Sequence, residues 1–414
     1  MSRIYNRISS SILAVLLVVY CIECNMATVL PFSNKEMSAA FSRANKRFML
    51  SLLKQLPSES NIFYSPFSIS TALAMVHMGA RTETLKEMTE ALHFEEMDKD
   101  VHTAFGSYLD FLSKETGDCT LKTANRIYQS MRFKPEESFL EDCNTHFKAS
   151  LESVDFSQSE AASKIINSWV SQQTENKIQD LIPASALDEL TFMVLVNAIY
   201  FKGNWNRKFQ SKLTQVMEFR NTKEKVNTDM MYQKASFNFC HLPDLTLSAL
   251  ELPYQGKTLS MLILLPLAVD GIEHLEKNLT ESLLKSIVSN LREKKVAVYL
   301  PKFKMESTFQ LKPYLSALGM PLAFGDNADF TGMDKDKDVY ISEVYHKAFV
   351  DVNEEGTEAA AATGVVMKKR SIEITPEFRA NHPFLFFIRD SVNDVILFAG
   401  RFYKPTSASV KDEL

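Results

Sequence analysis

The chain has 414 residues, 45% of them hydrophobic and 23% charged, with a formal net charge of −5. That is the composition of a globular protein with ample material for a buried core. An acidic balance without clustered Lys and Arg argues against a nucleic-acid partner, which needs phosphates neutralised.

In chain order, Arg3 and Arg7 precede an apolar run from Ile12 to Ile22. The run is too short to span a bilayer as a helix and suits the core of a signal peptide. Residues 1–24 are expected to be this leader, with small-residue cleavage contexts between Cys21 and Ala27. No later stretch reaches membrane-span length. Ser33-Asn34-Lys35-Glu36 has capping-box spacing before an amphipathic helix from Met37 to Leu53. Ser65-Pro66 reads as N-cap and first turn of a helix running to Met78 and ended by Gly79. Thr84-Leu85-Lys86-Glu87 reads as the cap of another helix.

Later the pattern turns to strands. Thr191 to Phe201 is nearly all apolar, as in a strand buried on both faces. Asn197 interrupts it, and a buried amide needs hydrogen-bond partners, so a polar cluster is expected around it. Val296 to Leu300 and Val395 to Phe402 also read as strands. No linker or repeat divides residues 25–410, which points to one α+β domain with a large sheet.

The five cysteines are Cys21, Cys24, Cys119, Cys143 and Cys240. With the leader removed, an odd number remains in an oxidising compartment. Three buried thiols are expected, the alternative being one bridge and one free thiol. Asn278-Leu279-Thr280 is a glycosylation sequon. Residues 411–414 are Lys-Asp-Glu-Leu, an address read by a retrieval receptor, so the two ends together indicate the lumen of the endoplasmic reticulum or the early secretory pathway.

No catalytic or metal motif is complete. Ser51-Leu52-Leu53-Lys54 and Ser282-Leu283-Leu284-Lys285 fit S-x-x-K but lack its companion motifs, and read as helix segments. Asp334-Lys335-Asp336-Lys337-Asp338 imitates a calcium loop, yet Val339 stands where the turn glycine belongs and Tyr345 where the bidentate Glu belongs. There is no H-E-x-x-H, and cysteine spacing fits no zinc site. The expectation is a monomer that is not an enzyme, without metal or cofactor.

The informative stretch is Glu354 to Ser371, EEGTEAAAATGVVMKKRS, small and polar, then abruptly basic. Gly356 permits a hinge. Read as a strand, Thr357, Ala359, Ala361, Thr363, Val365 and Met367 share one uncharged face, and Glu358, Ala360, Ala362, Gly364, Val366 and Lys368 the other. A segment of this kind is either a mobile alanine-rich loop or a loop that can also serve as a strand.

Asn353 to Thr363 is similar to the hinge of inhibitory serpins, and Asn381-His382-Pro383-Phe384-Leu385-Phe386-Phe387-Ile388 to the family signature after the loop. Asn61 to Gly79 and Leu195 to Trp205 resemble two further family blocks. The resemblance, which covers nearly all the mature chain, implies one domain with three β-sheets, about nine helices and an exposed reactive-centre loop. It implies suicide-substrate trapping: after cleavage the loop inserts into the main sheet and carries the acyl-enzyme with it. Counting from Gly356 in the family manner puts the reactive bond at Arg370–Ser371, with Met367, Lys368 and Lys369 as subsite contacts and Gly356 to Thr363 (Thr357, Glu358, Ala359, Ala360, Ala361, Ala362) as hinge. Lys-Lys-Arg implies serine proteases that cleave after basic residues, either proprotein convertases or trypsin-like enzymes. Met367 departs from the Arg that a furin site prefers. Ser65, Ser68, Asn197 and His346 match the family's polar shutter, and Trp205 the sheet top where insertion begins. With the retrieval tail, the chain resembles the retained convertase-inhibiting serpins of invertebrates. The competing readings are a non-inhibitory serpin-fold chaperone of the endoplasmic reticulum and a hormone carrier.

Overall fold

The computed structural model describes residues 35–97, 100–115, 119–335, 339–356 and 375–405. The expected leader, Ser33-Asn34 of the first cap, residues 336–338 of the charge run, Thr357 to Ser371 and residues 411–414 lie outside the described residues.

The first helix, α1 (Lys35–Leu53), buries Phe41, Phe48, Met49 and Leu52 along one stripe. α2 (Pro66–His77) begins as its sequence predicts: the Ser65 hydroxyl accepts from Ser68 N–H at 3.0 Å and Pro66 occupies the first turn. Every residue of α2 is buried, so it runs through the centre of the molecule. α3 (Thr82–Ala91) corrects the expected cap: Arg81 is the boundary residue, and Thr84 lies inside the first turn. The Thr84 hydroxyl accepts instead from the backbone N–H of Asp329 at 2.9 Å, a tertiary anchor that a four-residue pattern does not reveal. With α4 (Val101–Glu115), α5 (Glu137–Phe147), α6 (Ser159–Gln173), α7 (Ile272–Asn278), α8 (Glu281–Asn290) and α9 (Lys312–Ala317), nine α-helices stand among the described residues.

Three sheets organise them. The main sheet has five strands: β2 (Cys119–Ser130), β3 (Leu151–Val154), β4 (Met193–Gly203), β10 (Phe303–Gln310) and β11 (Glu343–Val352), in the order β10-β11-β4-β2-β3. Its centre is a parallel pair, β11 on β4, from Glu343 opposite Val194 to Phe349 opposite Tyr200. A second path runs β1-β14-β13-β8-β7-β6-β9-β12, through β1 (Ile62–Tyr64), β14 (Val395–Phe402), β13 (Phe384–Asp390), β8 (Leu259–Pro266), β7 (Leu247–Pro253), β6 (Lys225–Leu242), β9 (Arg292–Pro301) and β12 (Glu377–Arg379), with β5 (Gln215–Arg220) also on β6. The long β6 belongs to two sheets: Asn238–Leu242 pairs with β7, whereas Met230–Phe239 pairs with β9.

β4 is buried on both faces, as its composition implies. Leu195, Ile199 and Phe201 join the main core around α2. Val194, Val196 and Ala198 face the other way, into a smaller core with Ile166 and Val170 of α6. The strand starts two residues later than expected because the Thr191 hydroxyl donates to Asp188 in the preceding turn. Cys119, Cys143 and Cys240 are all buried and unbridged, and burial pushes the Cys143 thiol up to about 12. Ser51 pairs with His93 at 3.0 Å rather than with Lys54, and Ser282 and Lys285 lie on α8. No helix of the described residues is long and apolar enough to cross a membrane, and no metal-binding group of three or more side chains occurs among them.

Candidate functional site: a polar shutter and a pinned hinge

Beneath the parallel pair, one hydrogen-bonded network ties α2 to the main sheet. Asn197 on β4 and His346 on β11 face each other in the ladder and point inward toward the start of α2. His346 Nε2 accepts from the backbone N–H of Ser65 at 3.1 Å. That nitrogen therefore carries no proton, and Nδ1 donates to Asn197 Oδ1. Asn197 Nδ2 donates to the Ser68 carbonyl at 2.9 Å, the Ser68 hydroxyl at 2.5 Å and Asn125 Oδ1. The Ser65 hydroxyl donates to the Leu397 carbonyl at 2.6 Å, which extends the network to β14.

His346 is wholly enclosed, and burial lowers its pKa to about 3. The imidazole is thus held neutral as one tautomer. Protonating Nε2 would set it against the Ser65 N–H and remove that bond. Ser65, Ser68, Asn197 and His346, the expected shutter residues, are all in this network. Asn125 was not foreseen. It lies opposite Asn197 in the β2–β4 register, but a single Asn in a mixed strand reads as a solvent-facing residue.

The second part lies at the top of the same strands. The β11–β4 ladder ends at Phe349 and Tyr200, although the strands run on to Val352 and Gly203. A turn closes the gap. Asn353 and Gly356 bridge each other, and Gly356 also bridges Asn204. The φ of Gly356 is +139°, and a Cβ there would stand 2.2 Å from the Gly203 carbonyl oxygen, so only glycine fits.

Trp205 pins this turn from the side. Its indole N–H donates to the Asn353 carbonyl at 2.9 Å, its backbone N–H donates to the Glu355 carbonyl at 2.9 Å, and its ring stacks on Tyr254 at 4.7 Å. Glu354 accepts from Thr214 at 2.8 Å and pairs with Lys302 at 3.1 Å, while Glu355 pairs with Lys208. Burial alone would raise the Glu354 carboxyl. Its backbone hydrogen bond and the Thr214 and Lys302 donors outweigh this and hold it below the usual carboxylate range. Gly356 and Trp205 were expected here; the partners of Glu354 and Glu355 were not, because they come from two segments, residues 208–214 and Lys302, far from the turn in sequence.

The remaining expected residues stand apart. Asn278 is exposed at the end of α7, where its side chain donates to the His274 carbonyl at 2.8 Å. Thr280 of the same sequon caps α8 by accepting from Leu283 N–H. Thr357, Glu358, Ala359, Ala360, Ala361, Ala362, Thr363, Met367, Lys368, Lys369, Arg370 and Ser371 lie outside the described residues, between the pinned turn and β12.

A family model described as serpin (serine protease inhibitor) matches residues 43–405. Serpin B8 of Bos taurus is 43% identical over 373 residues, covering 88% of this chain and 100% of that protein. Leukocyte elastase inhibitor of Sus scrofa is 45% identical over 377 residues, covering 88% and 99%. Among solved structures, uncleaved ovalbumin superposes with a TM-score of 0.82 at 33% identity, covering 88% of this chain and 100% of its own. Serpin48 of the insect Tenebrio molitor, described as a highly specific serpin, gives 0.80 at 36%, covering 91% and 100%. Human thyroxine-binding globulin in complex with thyroxine gives 0.82 at 30%, covering 90% and 100%. These matches stand beside a five-stranded main sheet with a polar network beneath its parallel centre and a glycine turn at its top: the chain belongs to the serpin family of serine protease inhibitors.

Proposed function

We propose that this protein traps serine proteases by offering Arg370–Ser371 as bait and then inserting residues 357–367 between β4 and β11. The observation that carries the reading is a register. Asn353 and Gly356 form an antiparallel bridge. Continuing it down β11 sets Thr357 opposite Val352, Ala359 opposite Val350, Ala361 opposite Ala348, Thr363 opposite His346 and Val365 opposite Val344. Val344, Ala348, Val350 and Val352 all face the main core. Opposed residues in a sheet point to the same side, so the uncharged face of the loop meets the buried face of the sheet. The charged Glu358 falls opposite Asp351, on the side away from that core. A chain that was not meant to insert has no reason for this match, since one residue of slip would bury Glu358 and Lys368.

The protein is consumed with its target and turns nothing over. Arg370 supplies a guanidinium for an acidic specificity pocket, and Lys369 and Lys368 extend the match toward proprotein convertases, with trypsin-like enzymes as the broader class. We place its action in the early secretory pathway, retained through residues 411–414, with a glycan on the exposed Asn278. Loss of an endoglycosidase-sensitive mobility shift in Asn278→Gln tests the glycan. Incubation with furin, a second convertase and trypsin, followed by denaturing electrophoresis, tests the function. A covalent complex and a released C-terminal fragment beginning at Ser371 are expected. Cleavage without any complex would refute trapping, and a fragment beginning elsewhere would move the bait.

A further inference from the structure

Two cavities of about 340 and 420 Å³ adjoin at the foot of the main sheet, where Gln310 and Tyr345 line both. They lie on the face turned away from the main core. Tyr345 and Val194 belong to the smaller core beside α6, and Gln310 and Thr308 of β10 stand opposite Tyr345 and Lys347 of β11. One wall is the segment 181–191 between α6 and β4; the other is the start of α9. The segment is tied to the sheet at both ends. Lys347 Nζ donates to the Gln179 carbonyl at 2.6 Å, and the Tyr340 hydroxyl donates to the Leu190 carbonyl at 3.0 Å. The cavities thus form one open groove with its rim held in place.

The two halves differ in chemistry. The larger is lined by Leu181 and Pro183 from the segment and by Pro313 and Tyr314 from α9, with Tyr345 beneath. The Thr308 and Tyr314 hydroxyls there have no hydrogen-bond partner among the described residues. The smaller is acidic. Asp188 Oδ1 accepts from the Leu190 N–H and the Thr191 hydroxyl, both at 3.0 Å, and Glu343 Oε1 accepts from the Lys312 and Val344 N–H groups at 3.0 and 2.9 Å. Each carboxylate is held by one oxygen and keeps the other without a partner among the described residues. Lys312 is the only cation among the described residues lining this cavity, so negative charge is in excess.

We infer that this groove docks a proline-rich, extended segment of a partner protein that carries one arginine or lysine. Pyrrolidine rings pack against the Tyr314 and Tyr345 rings and the two prolines. Such a segment is extended before it binds, so little order is lost, and its carbonyls, unpaired within the segment, accept from the Thr308 and Tyr314 hydroxyls. The basic side chain enters the smaller cavity and donates to the free oxygens of Asp188 and Glu343. A β-strand fits less well: the floor is made of side chains on a sheet face, whereas a strand needs a row of backbone partners.

The probe is fluorescein-Pro-Pro-Pro-Arg-Pro-Pro-amide, read by fluorescence anisotropy against the full chain. One control peptide has Glu in place of Arg, and the other has Ala in place of every Pro. The Arg peptide is expected to bind at least about tenfold more tightly than either. Asp188→Asn combined with Glu343→Gln, which keeps the accepting oxygens but removes the charges, should abolish the preference for Arg over Glu. Tyr314→Ala and Thr308→Trp, the second filling the larger cavity from an exposed strand position, should each weaken the Arg peptide at least about tenfold. If Tyr314→Ala does not fold, Thr308→Trp decides. No binding of the Arg peptide, or equal binding of the alanine peptide, overturns the groove. Equal binding of the Arg and Glu peptides overturns the acidic subsite. Undiminished binding in Thr308→Trp places the peptide elsewhere and overturns the site. No protease takes part, so each of these results stands apart from the trapping reaction.

Discussion

Thr357→Arg separates a trap from a substrate. In the register set by the Asn353–Gly356 turn, Thr357 enters opposite Val352, above Phe201 of β4. Val352 and Phe201 are both 0% exposed, and Phe201 packs on Tyr254 at 5.0 Å and Phe398 at 5.8 Å. This is a floor of rings and methyl groups with no carboxylate. A guanidinium placed there unpaired costs at least about 3–5 kcal/mol. If half of that is felt in the rate-limiting step of insertion, the step slows by about 10- to 100-fold. Insertion competes with hydrolysis of the acyl-enzyme, so the ratio of complex to cleaved product should fall by the same factor, while cleavage at Arg370 proceeds at the wild-type rate. Glu358→Arg is the control. Glu358 falls opposite Asp351, and like charges opposed across a sheet repel. Its replacement by Arg should leave the yield unchanged or raise it slightly. Densitometry of both variants against one convertase is the assay. Wild-type complex yield from Thr357→Arg, or an equal loss from both variants, would refute the register.

Other outcomes follow from the same geometry. Arg370→Ala should abolish complexes with basic-specific proteases, because it leaves the pocket carboxylates unpaired, whereas Met367→Arg should speed association with furin; stopped-flow or progress-curve rates check both. Glu354→Lys replaces a carboxylate held by Thr214 and Lys302 with a second cation, and should cost about 3 kcal/mol and lower the thermal midpoint measurably. Acid should destabilise the fold through its buried histidines. Burial lowers His77 to about 3, His102 to about 4 and His346 to about 3, each below the unfolded value. Their stabilising contribution is therefore complete above about pH 6.5 and is lost as the pH falls toward the folded values. At pH 5 the loss is about 2 kcal/mol for each, which urea unfolding at pH 7.5 and pH 5 would read, and which His346→Gln should reduce by one such share. Deleting residues 411–414 should send the protein into the medium; unchanged retention would rule out receptor-mediated retrieval.

The local chemistry of many elements was legible without coordinates. Ser65-Pro66 carries its own cap, and Val395 to Phe402 forms the expected strand residue for residue. The apolar run ending near Phe201, rich in β-branched and aromatic residues, read as a strand buried on both faces, and Asn197 within it required partners on grounds of hydrogen bonding alone. The parity of residues 357–367 was likewise a property of the chain, since side chains of a strand alternate whatever surrounds it. Tertiary structure decided what those requirements meet. Thr84 looked like a cap because its spacing was right, yet it anchors Asp329 from inside a helix. Asn125 joined the polar network of Ser68 and Asn197 only when β2 was laid antiparallel on β4. Glu354 and Glu355 found Lys302, Thr214 and Lys208 across separations of up to 147 residues. Periodicity and capping act over a few residues and are written in them. A charge partner, a strand register or a neutral buried histidine exists only after the chain has closed on itself, because its energy depends on distance and burial rather than on order along the chain.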